Sequence, residues 1–112
     1  MRRGFGLTDG EHARYADEGF LIRTCVFGPA EVEGLRAAAE ATVESVLRLC
    51  AKGCAYLLDG KRFVDAAGAT VQFEHAAGSG TVRVIEPAHL FDPRWESLID
   101  DPRIVEPIAD LV

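Results

Sequence analysis

No run of apolar residues in this 112-residue chain approaches the ~20 that a membrane-spanning helix needs. An apolar stretch is also missing after Arg2-Arg3, where only Gly4-Phe5-Gly6 follows. The two arginines therefore read as neither a secretory signal nor a twin-arginine signal. A basic excess is absent as well. Twelve Lys and Arg stand against eighteen Asp and Glu, giving a formal charge of −6 and a pI near 5.0. Nucleic-acid binding is led by Lys and Arg neutralising phosphate, so the balance argues against nucleic acid and against an anionic membrane as partners. Together these absences predict a soluble, cytoplasmic chain.

Cysteine is scarce: there are three, an odd number with no disulfide framework. Cys50 and Cys54 lie four apart and Cys25 is remote, whereas a structural zinc site takes four ligands in close pairs. Reduced thiols packing as small apolar residues are the expectation. Internal repeats, low-complexity tracts and linkers are absent too. What the chain does have is 48% hydrophobic and 27% charged residues, a globular composition. Its length fits one small domain or a piece of a larger one, with a thin margin of stability.

The first helix is signalled at Thr8-Asp9-Gly10-Glu11. A Thr three residues ahead of a Glu forms a capping box, in which each side chain satisfies a free amide of the other. This helix is expected to run to Asp17 or Glu18 and stop before Gly19. Phe20 to Phe27 is rich in β-branched and aromatic residues and reads as a strand. A second helix opens on Pro29, a residue suited to the first helical position, with Glu31 and Glu33 early, Arg48 and Lys52 late, and Gly53 closing it. Val32, Leu35, Ala39, Val43, Val46 and Cys50 step by three or four and predict an apolar stripe facing the core.

Short strands follow. Tyr56-Leu57-Leu58 and Arg62-Phe63-Val64 flank Asp59-Gly60-Lys61, a hairpin signal. Thr70 to His75 alternates, with Val71, Phe73 and His75 on one face and Thr70, Gln72 and Glu74 on the other. Gly78-Ser79-Gly80 reads as a turn and not a phosphate loop. Thr81 to Glu86 alternates again, with Val82 and Val84 opposite Arg83 and Ile85. In the tail, Asp92-Pro93 and Asp101-Pro102 each read as a cap followed by a first-turn proline. Pro107 is expected to kink or interrupt the last helix. Trp95, near Leu98 and Ile99, reads as a core or interface anchor.

The order of these elements resembles the opening of the phytanoyl-CoA dioxygenase-like oxygenases, which depend on Fe(II) and 2-oxoglutarate. The residues that carry the resemblance are Asp17-Glu18-Gly19-Phe20-Leu21-Ile22, Phe27-Gly28-Pro29-Ala30-Glu31-Val32-Glu33-Gly34-Leu35-Arg36, Val82-Arg83-Val84-Ile85-Glu86-Pro87-Ala88-His89-Leu90, and Asp101-Pro102-Arg103. The resemblance covers nearly the whole chain. It implies an α+β arrangement over residues 1–112: N-terminal helices plus the first strands of an incomplete double-stranded β-helix, or jelly-roll. It also implies hydroxylation of a small organic or acyl substrate in the complete enzyme.

Members of that family hold iron with a His-x-Asp pair and a distant His. Two histidines and one carboxylate on one side of the metal leave positions open for co-substrate and dioxygen. His12, His75 and His89 are the only histidines here, and none begins a His-x-Asp motif. No catalytic and no metal-binding residue carries over, no cofactor is expected on this chain alone, and the resemblance implies that the motif lies beyond residue 112. Glu74 and His75 are adjacent, and adjacent residues on a strand point to opposite faces, so they form no metal pair. The expected partner is either the missing C-terminal half or a second copy, in a free-standing dimerisation or binding module derived from the family.

Two residues stand as substrate-side candidates. Arg83 on its strand has the reach for a carboxylate or an acyl-CoA phosphate; the plain alternative is a surface arginine paired with a neighbouring acid. His89 sits where the mouth of the barrel is expected; the plain alternative is a histidine bonded to backbone.

Overall fold

The computed structural model describes residues 4–76 and 78–112. The chain is α+β: two helices, a four-stranded antiparallel sheet in the order β1-β2-β3-β4, a 3-10 turn at Ala88–Leu90, and two more helices. It spreads over 50 × 30 × 23 Å with a radius of gyration of 18.1 Å. A fully compact chain of this length has a radius of about 13 Å, so much of this one lies open.

Helix α1 (Asp9–Glu18) begins and ends as its residues dictate. The Thr8 hydroxyl accepts from the Glu11 amide and the Glu11 carboxylate accepts from the Thr8 amide. Gly19, at φ 81°, closes the helix by donating its N–H to the Tyr15 carbonyl. Residues 20–27 then depart from the expected strand. They lie outside every sheet ladder, and Cys25 takes a φ of 56°. A strand needs a neighbouring ladder, and this segment is held by a side chain instead. The Arg23 guanidinium donates to the carbonyls of Phe5 and Gly6 and to both oxygens of Glu11.

Helix α2 (Pro29–Cys50) starts on proline as expected, and the Glu31 carboxylate accepts from the Gly28 amide. Its buried line is rotated from the expected stripe. Ala38, Thr42 and Val46 are buried, while Val32 and Ala39 are exposed. Thr42 is tolerated there because its hydroxyl donates to the Ala38 carbonyl and accepts from the Trp95 indole N–H.

The sheet comprises β1 (Cys54–Leu58), β2 (Lys61–Ala66), β3 (Ala69–Phe73) and β4 (Val82–Glu86). Asp59 and Gly60 link the first pair with φ of 52° and 76°, the twin positive values of a type I′ hairpin turn. Ala67 and Gly68 link the second pair in the same way, at 51° and 81°. Strand β3 alternates as expected: Val71 and Phe73 face inward with Val64 of β2, and α2 covers them through Val46 and Cys50.

Strand β4 corrects the expected alternation. Val82 pairs with Phe73 and Val84 with Gln72, so Arg83 is an extra residue opposite a register shift. The bulge reverses the phase of the strand. Val82 and Ile85 both pack on the core, and Val84 turns outward.

Helices α3 (Pro93–Ile99) and α4 (Pro102–Leu111) are capped by Asp92 and Asp101, as their Asp-Pro pairs predict. Pro107 does not interrupt α4, which runs through it. Glu106 and Asp110 flank the proline and accept from the amides of Phe5 and Leu7, both at 2.7 Å. Those ties hold the turn beyond the position where the proline removes a helix bond. No helix among the described residues is long and apolar enough to cross a membrane.

Candidate functional site

Two clefts flank α2. The first, about 400 Å³, lies between α2, α3 and the start of α4, with Phe27, Leu35 and Leu98 among its walls and Arg94 and Arg103 at its edge. Local sequence builds its polar edge. Asp101 caps α4, which places Arg103 in the first turn, where its guanidinium folds back on the Asp101 carboxylate at 2.8 Å. The same guanidinium reaches Glu31 at 2.6 Å and lies over the Phe27 ring at 4.3 Å. The Arg103 hydrogen bonds hold the Asp101 carboxyl down from its usual 3.8 to about 2 and push the guanidinium up. With two carboxylates and a ring already engaged, Arg103 fixes α4 to α2 and has little capacity left for an incoming anion. Arg94 donates through Nη1 to the Gly34 carbonyl at 2.9 Å.

The second cleft, about 330 Å³, lies between α2, β4 and α3. Ala39, Val43, Val82, Ile85 and Trp95 give it apolar walls, and Arg83 stands on its lining. Here the bulge acts: as the extra residue of β4, Arg83 is freed from the alternation that would fix its direction. Its guanidinium approaches the His75 ring, with Nη1 2.5 Å from Nε2 and 3.3 Å from Nδ1. The Gln72 side-chain amide points to the same ring at 3.4 Å. The pairing with a neighbouring acid that a surface strand arginine suggests is therefore not what Arg83 makes.

The other substrate-side candidate is placed apart. His89 sits exposed in the 3-10 turn after Pro87, and no hydrogen bond among the described residues involves its side chain. The structure thus brings Arg83 together with His75 and Gln72, and does not bring His89 into that group. Sequence reading put His75 on the inner face with Val71 and Phe73; it falls just past the end of β3, exposed. From there its ring meets the Arg83 guanidinium. Arg103, Asp101 and Glu31 were legible as caps and helix starts, but their meeting across 72 residues was not.

The three histidines lie on three separate elements: His12 in α1, His75 past β3, His89 in the 3-10 turn. No group of three His, Cys, Asp or Glu side chains among the described residues is placed to hold a metal ion. The residues present therefore do not fit a non-haem iron centre, and no step through iron or 2-oxoglutarate is assigned to them. Cys25 and Cys54 are exposed free thiols, and burial pushes the half-buried Cys50 thiol up, which favours its unreactive form.

Tyr56 and Phe63 lie on the face of the sheet opposite Val64. Tyr56 and Phe63 stack there with centroids 5.6 Å apart and planes 11° from parallel. Asp65 accepts from the Tyr56 and Thr70 hydroxyls beside them. Compared with known protein families, with curated proteins and with solved structures, the chain has no match.

Proposed function

We propose that the chain is the N-terminal segment of a phytanoyl-CoA dioxygenase-like Fe(II)/2-oxoglutarate oxygenase, a scaffold whose iron ligands are supplied by further chain. The observation that carries this reading is the one-sided sheet. A long helix begun on Gly28-Pro29 covers one face of four antiparallel strands through Val46, while the Tyr56–Phe63 face stays open. A sheet with apolar groups on both faces calls for a layer on each, and a jelly-roll provides the second layer as its other sheet. In this reading the open face looks into the barrel, and Arg83 stands on the substrate side. Hydroxylation coupled to oxidative decarboxylation of 2-oxoglutarate belongs to the complete enzyme, and the 112-residue chain alone is inactive. The test is succinate release by the purified chain with Fe(II) and 2-oxoglutarate. Turnover above a metal-free control would overturn the scaffold reading.

A second reading, a free-standing dimerisation or binding module, is favoured by β1. Every residue of Cys54-Ala55-Tyr56-Leu57-Leu58 is exposed, none is charged, and the strand lies at the sheet edge. Unblocked edges of this kind recruit another strand. Size-exclusion chromatography with light scattering separates the two. A monodisperse dimer supports the module, and a concentration-dependent aggregate supports the scaffold.

A further inference from the structure

We propose that β1 pairs antiparallel with β1 of a second copy of this chain, centred on Tyr56, so that the two four-stranded sheets become continuous. The inference rests on the dimerisation-module reading and names its partner and register. It starts from a contrast between the two edges of the sheet. The β4 edge is blocked in the ways natural sheets block their edges. Arg83 and Glu86 put charge on it, a bulge interrupts its register with β3, and Pro87 follows it. The β1 edge has none of these. Cys54-Ala55-Tyr56-Leu57-Leu58 carries no charge and no proline, and its register with β2 is unbroken. All five residues are exposed, Leu57 to 73% and Leu58 to 57%. Among the described residues no strand pairs with its outer side.

Backbone and side chains together set the register. Leu58 faces Lys61 across the Asp59-Gly60 turn, and such a turn bonds the two residues that flank it. Bonding to one neighbour alternates along an antiparallel strand. Leu58, Tyr56 and Cys54 therefore bond to β2, and the amides and carbonyls of Ala55 and Leu57 point to the free edge. A two-fold axis at Tyr56 sets Ala55 of one copy opposite Leu57 of the other, so these groups bond across the seam. Cys54 then falls opposite Leu58 of the second copy. On each face of the sheet a small residue meets a large one. The strand is thus complementary to itself, which is why the occupant is a second copy. Tyr56 meets its counterpart on the axis, beside the stack that it already makes with Phe63. An axis at Ala55 or Leu57 would leave two of the five residues of each strand without a partner strand.

The test has two arms, both on the full chain. Size-exclusion chromatography with light scattering is expected to give a dimer, at twice the 12.1 kDa of one copy. L57K is expected to weaken association at least about tenfold, since a Lys on an edge opposes pairing and an apolar contact is lost on each side of the axis. Leu57 is exposed in the single chain, so L57K keeps the wild-type circular dichroism. I22K, at a similarly exposed site outside every ladder, leaves the dimer intact. The second arm reads the register by oxidation in a C25S background. L58C is expected to cross-link to Cys54 of the second copy, because residues opposed in a non-hydrogen-bonded pair have Cα atoms about 4.5 Å apart, within disulfide reach. L57C, on the other face of the sheet, is expected to stay uncross-linked. A monomer or an aggregate would overturn this proposal and the module reading together. A dimer that survives L57K, or in which L58C cross-links no better than L57C, would overturn the β1 pairing and leave the module reading standing.

Discussion

The sheet with α2 and the N-terminal segment with α4 are held together by different forces. Val46, Val64, Val71 and Phe73 are all buried to 2% exposure or less and bring no charge with them. Across the molecule, Leu7 is the only buried residue of the N-terminal segment among the described residues. There the ties are carboxylates on amides (Glu106 to Phe5, Asp110 to Leu7) and the Arg23 fork on Glu11 and two carbonyls. The difference teaches where each region is vulnerable. Apolar burial responds to lost volume, and exposed ion pairs respond to pH and salt.

The largest expected effect falls on the apolar region. Phe73→Ala removes a ring that is 2% exposed and that carries the Arg62 guanidinium 3.9 Å above it. A loss of about 3–5 kcal/mol is expected on urea denaturation, in line with other buried phenylalanines. A loss below about 1 kcal/mol would erase the contrast between the two regions. Gly53→Ala comes next. A Cβ there would lie 2.6 Å from the Asp65 carbonyl and 2.7 Å from Val64 Cγ1, and backbone cannot yield as a side-chain tip can. About 1–3 kcal/mol of overpacking is expected by the same measurement.

Thr42→Val keeps the shape of α2 but leaves the Trp95 indole without its acceptor at 3.0 Å. About 1 kcal/mol should be lost, with a change in Trp95 fluorescence as α3 loosens. Unchanged fluorescence would mean that apolar contact alone seats α3. Ala67→Gly goes the other way. Ala67 sits at φ 51° in the β2–β3 turn, where a side chain costs about 1 kcal/mol. A gain of a few tenths to about 1 kcal/mol is expected on urea denaturation, after subtracting the greater freedom of glycine when unfolded.

The smallest global effect is the sharpest test of the comparison. The Arg23 hydrogen bond and the Thr8 amide hold the Glu11 carboxyl down from its usual 4.5 to about 2, and Asp101 lies at about 2 against 3.8. A carboxyl lowered on folding contributes stability that is complete above its unfolded pKa and fades as pH falls toward the folded one. Between pH 4.5 and 2, amide protection, corrected for the intrinsic exchange rate at each pH, should therefore fall in the N-terminal segment and at the start of α4. The β2 and β3 amides should keep their protection over that interval. Simultaneous loss in both regions would show that they unfold as one unit.

Local signals were readable wherever chemistry between near neighbours decides the backbone. The Thr8–Glu11 box, Gly19, the Asp-Pro caps and the Asp59-Gly60 turn all appear where the residues place them. The candidate site was legible only in part. Arg83 was visible as a cation on a strand, but its partner was not, because a bulge shifts the strand by one residue and no composition rule marks it. The expected strand at residues 20–27 failed for a related reason. β propensity describes a fit to a ladder, and here the segment lies outside every ladder and is tied back to the Phe5 and Gly6 carbonyls through the Arg23 side chain.

By itself, then, the sequence determined the four helix starts, the stop at Gly19, the Asp59-Gly60 turn and the inward placement of Val71 and Phe73, all governed by contacts within a few residues. Tertiary structure alone decided the phase of β4, the rotation of α2 that buries Thr42 against Trp95, the passage of α4 through Pro107, and the meeting of Arg83 with His75. Each depends on groups far apart in the chain, whose interaction energies enter only once the layers are packed.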